Sequence, residues 1–120
     1  MSSILFYCQS SLGIGHTIRS LRIAEGLSHH FDVHFLNGGE PIKELQPPAG
    51  IHMIQLPAIV SDAEFTRLQP ADPALSLEEA FSRRRDIMLQ SYETLSPDIV
   101  LVELYPFGRR KFGAELKPLL

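Results

Sequence analysis

The chain carries a single cysteine, Cys8, which excludes an internal disulfide and any multi-cysteine metal site. A reducing compartment fits that scarcity. It has no basic excess either: 11 Lys and Arg stand against 14 Asp and Glu, for a net charge of −3. Without a global positive field there is nothing to draw nucleic acid or an anionic membrane, and no nucleic-acid partner is expected. No apolar run approaches the roughly 18 residues that span a bilayer. The opening MSSILFYCQSS lacks a basic lead and has only a short apolar run, so it reads as a strand and not as a signal peptide. Internal repeats and low-complexity tracts are absent. No Gly-Lys-Ser/Thr occurs, which removes the P-loop.

What is present is ordinary for a globular domain: 44% apolar and 21% charged residues in a chain of 120. That length suits one domain, able to bury roughly two-thirds of its surface. Ile4 to Cys8 is a continuous apolar run, as in a strand of a parallel sheet covered on both faces. From His16 the period changes. Ile14, Ile18, Leu21, Ala24 and Leu27 share one helix face, with Arg19, Arg22 and Glu25 opposite. Phe31 to Leu36 and Ile51 to Leu56 read as the second and third strands, with Glu40 to Gln46 as a helical turn or two between them. Pro57 to Pro73 shows no period and reads as a long loop. Ser76-Leu77-Glu78-Glu79 is a capping box. It starts a helix whose apolar face is Leu77, Ala80, Phe81, Ile87 or Met88, Tyr92 and Leu95, and Ser96-Pro97-Asp98 ends it. Ile99 to Leu104 is a fourth strand, Tyr105 to Gly108 a turn, and Arg109 onward the start of another helix. The alternation predicts a Rossmann-like α/β fold, a parallel sheet in the order 3-2-1-4 with flanking helices. A crossover helix begun with no strand after it suggests one piece of a longer polypeptide.

The junction of first strand and first helix, Ser10-Ser11-Leu12-Gly13-Ile14-Gly15-His16, gathers backbone N–H groups and the positive end of a helix dipole at one point. The dinucleotide fingerprint fails there, because Ile18 holds the third glycine's place and Asn37-Gly38-Gly39 stands where an acidic residue belongs. The glycines also have a plainer reading, a tight strand-to-helix turn. His16 opens the helix, where the dipole disfavours imidazolium. A neutral ring there suits a general base; otherwise it caps the turn. Glu103 interrupts an apolar strand at its carboxyl end, the edge where open α/β sheets carry ligands. It either orients a histidine or pairs with Arg109 or Arg110. Arg109-Arg110-Lys111 sits at a helix start, a place that asks for an anionic partner. Arg83-Arg84-Arg85 fans out around a helix and reads as a solvated face; Cys8 reads as buried packing. His29, His30, His34 and His52 show no ligand spacing and read as surface or strand residues.

LGIGHTIRSLRIAEGL resembles the first strand–loop–helix of the GT-B glycosyltransferases. Its GxGH loop and A-x-x-L helix are similar to the bacterial transferase that adds N-acetylglucosamine to the peptidoglycan lipid intermediate, and to the Gly-His helix start of plant and antibiotic glycosyltransferases. VELYPFGRRKFGAELKPLL looks like a segment of bacterial predicted glycosyltransferases in which a fourth strand ends in Glu and runs into PFGRRKF. The resemblance covers nearly the whole chain. It implies that residues 1–120 are the N-terminal, acceptor-binding half of a two-domain enzyme, in the cytoplasm or peripheral to the inner membrane face. A C-terminal domain outside this chain would hold the nucleotide-sugar donor. Transfer to an acceptor hydroxyl would invert the anomeric centre, with no cofactor and no metal bound to the protein. His16 would be the base. Glu103 stands where the plant and antibiotic relatives often carry an aspartate, and is one methylene longer.

Two classes of function follow. In the first, His16 and Glu103 are catalytic, and Ser11, Gly13, Ile14, Gly15, Arg109 and Arg110 bind substrate. In the second, the chain is a non-catalytic Rossmann-like module that takes a nucleotide or other anion at the helix N-terminus and Arg109–Lys111. A dehydrogenase comes third, disfavoured by Ile18 and the missing acid. An isolated half also exposes surface meant for its other domain, which predicts self-association.

Overall fold

The computed structural model describes residues 1–9, 15–41, 48–61 and 68–103, with only the backbone described for Gly15 and His16. In chain order these form β1 (Ser3–Cys8), α1 (Gly15–Leu27), β2 (Asp32–Asn37), β3 (Ile51–Gln55), β4 (Ile59–Ser61), β5 (Leu68–Pro70), α2 (Leu77–Leu95) and β6 (Ile99–Val102). The main sheet has the order β3-β2-β1-β6 and every pairing in it is parallel. β6 is the strand read from IVLVEL, so the expected order 3-2-1-4 is the observed one.

After Ser3, β1 is apolar because both of its faces are covered. Successive side chains point to opposite sides of a strand. Ile4, Phe6 and Cys8 pack with Leu21 and Ala24 of α1, together with Val33, Phe35 and Ile51 of the neighbouring strands. Leu5 and Tyr7 face the other way and pack with Leu36 and with Ala80 and Met88 of α2. Phe6 and Phe35 are register partners on adjacent strands, their ring centroids 5.2 Å apart. Such a pair adds about 0.5–1.5 kcal/mol beyond its burial.

In α1, Leu21 and Ala24 are buried while Arg19, Arg22 and Glu25 are exposed, as the period demands. Thr17 and Ser20 are buried too and extend the sheet-facing side toward the helix start. α2 opens with the expected capping box: Ser76 Oγ accepts from Glu79 N–H, and Glu79 Oε1 accepts from Ser76 N–H. It closes on Ser96, whose left-handed backbone (φ 46°, ψ 62°) turns the chain toward β6. Asp98 then clamps the amino ends of two strands, its carboxylate accepting from Ser3 N–H and its own N–H donating to Ser3 O.

Two expectations need correction. Pro57 to Pro73 is not structureless, since β4 and β5 inside it pair antiparallel, Ile59 opposite Pro70. Pro70 ends the short β5 of a two-stranded ribbon, where a missing N–H is tolerated, and that hides the strand from a reading by composition. Tyr92 is 37% exposed and does not belong to the buried stripe of α2. The helical turns expected over Glu40 to Gln46 fall mostly outside the described residues. The Tyr105 to Gly108 turn and the helix from Arg109 lie wholly outside them.

Candidate active site at the carboxyl edge of the sheet

All four main strands run the same way, so their carboxyl ends meet at one edge. β1 leads there into the junction that α1 follows. The backbone of Gly15 and His16 forms the first residues of α1, which puts the helix's first-turn N–H groups, those without an intrahelical partner, at this edge. Glu103 comes one residue after β6 and its N–H donates to Tyr7 O at 3.1 Å. That bond sets Glu103 beside the end of β1. The carboxylate is drawn inward: Glu103 is half-buried, with Oε2 inaccessible to water. Chain ends separated by nearly ninety residues thus reach the same sheet edge. Ser11, Gly13, Ile14, Arg109 and Arg110 lie outside the described residues, as does the His16 side chain.

The floor of this edge is built around Arg84, which corrects the expectation that Arg83-Arg84-Arg85 is a solvated face. Its side chain is completely buried. Nη1 donates to Gly38 O at 2.8 Å and Pro57 O at 3.0 Å; Nη2 donates to Gln9 Oε1 at 2.6 Å and Tyr7 OH at 3.2 Å. One guanidinium therefore ties together the segments that follow β1, β2 and β3. Gln9 extends the network, donating from Nε2 to Ile59 O at 2.9 Å. Gln9 is also the last described residue before the junction to α1. The signal for Arg84 was in the sequence. It lies four residues after Ala80 and four before Met88, squarely on the apolar stripe, whereas Arg83 points to solvent.

Gly38 has a reason in the same network. A Cβ on Gly38 would collide with Gln9 Oε1 and Arg84 Nη2, so only glycine lets the guanidinium approach this backbone. Beside it, Asn37 is fully engaged. Oδ1 accepts from Gly39 N–H, and Nδ2 donates to Gln55 Oε1 and Glu40 O. Gln55 Nε2 in turn reaches the carbonyls of Asn37, Gly39 and Leu56. The position that holds a ribose-binding acid in dinucleotide folds is here an amide committed to bracing the β2–β3 edge.

The solved structures of UGT2 from Phytolacca americana are similar to this chain. The apo form superposes with a TM-score of 0.58 at 17% identity, over 98% of this chain and 28% of that one. The form complexed with UDP-2-fluoro-glucose and pterostilbene gives 0.57 at 19% identity, over 98% and 29%. The chain thus has the Rossmann-like α/β fold of one half of a GT-B glycosyltransferase. It spans less than a third of the length of either solved chain. No family model matches the sequence, and neither does any curated protein.

Proposed function

We propose that this chain is the N-terminal, acceptor-binding half of a glycosyltransferase that uses a nucleotide-sugar donor. The observation that carries the reading is the convergence of the α1 N-terminus, with His16 in its first turn, and Glu103 at one sheet edge, on a fold shared with a UDP-sugar-bound transferase. In the reaction, neutral His16 takes the proton of an acceptor hydroxyl. The resulting oxygen attacks the anomeric carbon from the face opposite the leaving group. The bond from that carbon to the nucleoside diphosphate breaks, and the configuration inverts. Glu103 orients His16 and stabilises its protonated form. Ser11, Gly13, Ile14 and Gly15 hold acceptor or donor through backbone amides, and Arg109 and Arg110 meet phosphate charge. The Arg84–Gln9 network supports the reading from below by fixing the strand end from which the His16 junction departs. Kinship with the bacterial N-acetylglucosamine transferase of peptidoglycan synthesis belongs to the same proposal, as does a second domain beyond this chain that grips the donor.

Calorimetric titration with nucleotide-sugars separates this from a self-sufficient anion-binding module. A half-enzyme binds donor weakly by itself and tightly once its second domain is joined to it. Tight binding by residues 1–120 alone would favour the stand-alone module.

A further inference from the structure

His34 and His52 show no ligand spacing in the sequence, but the sheet brings them together with Asp32. His34 and His52 are register partners on the adjacent parallel strands β2 and β3, and Asp32 lies two residues before His34 on the same face. His34 Nε2 is 3.2 Å from Asp32 Oδ2, and His52 Nε2 is 3.2 Å from Asp32 Oδ1. The two imidazoles stack with centroids 4.4 Å apart and planes inclined by 20°. One donor atom from each residue lies within 4.8 Å of the others.

We propose that this cluster is a divalent transition-metal site, of which Zn²⁺ is the type. Two imidazole nitrogens and a carboxylate oxygen, with no thiolate, form the donor set that Zn²⁺ takes in three-ligand open sites. Metal–ligand bonds of about 2.0–2.2 Å in a tetrahedron separate neighbouring ligand atoms by about 3.3–3.6 Å. Each histidine nitrogen is 3.2 Å from an Asp32 oxygen, His34 from Oδ2 and His52 from Oδ1, and the donor atoms all lie within 4.8 Å, so side-chain rotation must draw them together around the ion. The side chains are reachable from solvent, with His52 62% exposed and Asp32 42%. The same three residues line a cavity of about 550 Å³ between the sheet and the last turns of α2, where Ser91, Thr94 and Gln90 face them. A fourth ligand, water or a small anion, has room there.

The site is at the amino half of β2 and β3, away from the edge that carries Glu103 and the start of α1. Bound there, the metal joins β3 to β2, and its distance from that edge keeps it out of glycosyl transfer. It stands whether or not the proposed transferase activity does.

The test uses the purified chain without a polyhistidine tag. Titration with Co²⁺ should give the intense visible absorption of a tetrahedral centre at one equivalent, displaced by Zn²⁺, and Zn²⁺ should raise the melting temperature. Loss of a group that only hydrogen-bonds to a metal ligand weakens metal binding by about 10–100-fold, so loss of a ligand in His52→Ala should weaken it at least about tenfold. His52 is exposed and its removal should leave the circular dichroism spectrum unchanged. His29→Ala with His30→Ala, at the exposed end of α1, should bind as the parent does. Absence of both signals in the folded parent would overturn the proposal. So would unchanged binding in His52→Ala, or a loss confined to the His29/His30 variant.

Discussion

Replacing Arg84 by Met tests whether the carboxyl edge is held as described. Methionine matches the aliphatic stem and removes the guanidinium's hydrogen bonds, four of them to described residues. Not all of its partners are stranded equally. Gly38 O keeps the N–H of Ile59 at 3.1 Å, and Gln9 keeps its bond to Ile59 O. Gln9 Oε1, Tyr7 OH and Pro57 O each lose a charge-assisted donor. A buried polar atom that loses its partner costs about 1–3 kcal/mol. Part of that is offset because the variant no longer has a charge to desolvate, which leaves a net loss of about 3–5 kcal/mol. Stability in domains of this size is about 5–15 kcal/mol, so the variant should remain foldable but weakened. With a urea slope of about 1.5 kcal/mol/M, the midpoint should fall by about 2–3 M at unchanged slope. Arg83→Met is the control, since Arg83 is exposed, and it should shift stability by less than about 0.5 kcal/mol. Equal small effects from the two substitutions would mean that the Arg84 guanidinium is in water, and the floor of the edge would have to be redrawn.

Gly38→Ala places a methyl group against Gln9 and Arg84 and should destabilise by about 1–3 kcal/mol in denaturant melts. In the Arg84→Met background the penalty should shrink, and additivity would show that the two sites do not touch. Ser76→Ala removes one half of the capping box and should cost about 1 kcal/mol, a fall of about 4 °C in melting temperature by calorimetry.

Much of the fold was legible because β1 and α1 each carry one unmistakable pattern: unbroken apolar residues for a strand covered twice, and a three-to-four spacing for a helix covered once. The capping box at Ser76 announced α2 in the same way. What escaped the reading depends on partners distant in sequence. Arg84 looks like a surface arginine until Gly38, Pro57 and Gln9 are brought under it, and nothing local to RRR says which of the three turns inward, except its spacing from Ala80 and Met88. His34 and His52 are 18 positions apart, and only the β2–β3 register makes them neighbours. β4 and β5 are three residues each, too short for a period to emerge. For the candidate site, the placement of Glu103 after β6 and the start of α1 at Gly15 were legible, because both follow directly from strand and helix ends.

The most direct test of the central claim is the transfer rate of His16→Ala in a polypeptide that joins this chain to the proposed donor-binding domain. Release of nucleoside diphosphate at saturating donor and acceptor should fall by roughly two to four orders of magnitude, the usual worth of a general base, with the fold intact by circular dichroism. Full activity in that folded variant would contradict the account and remove His16 from the mechanism.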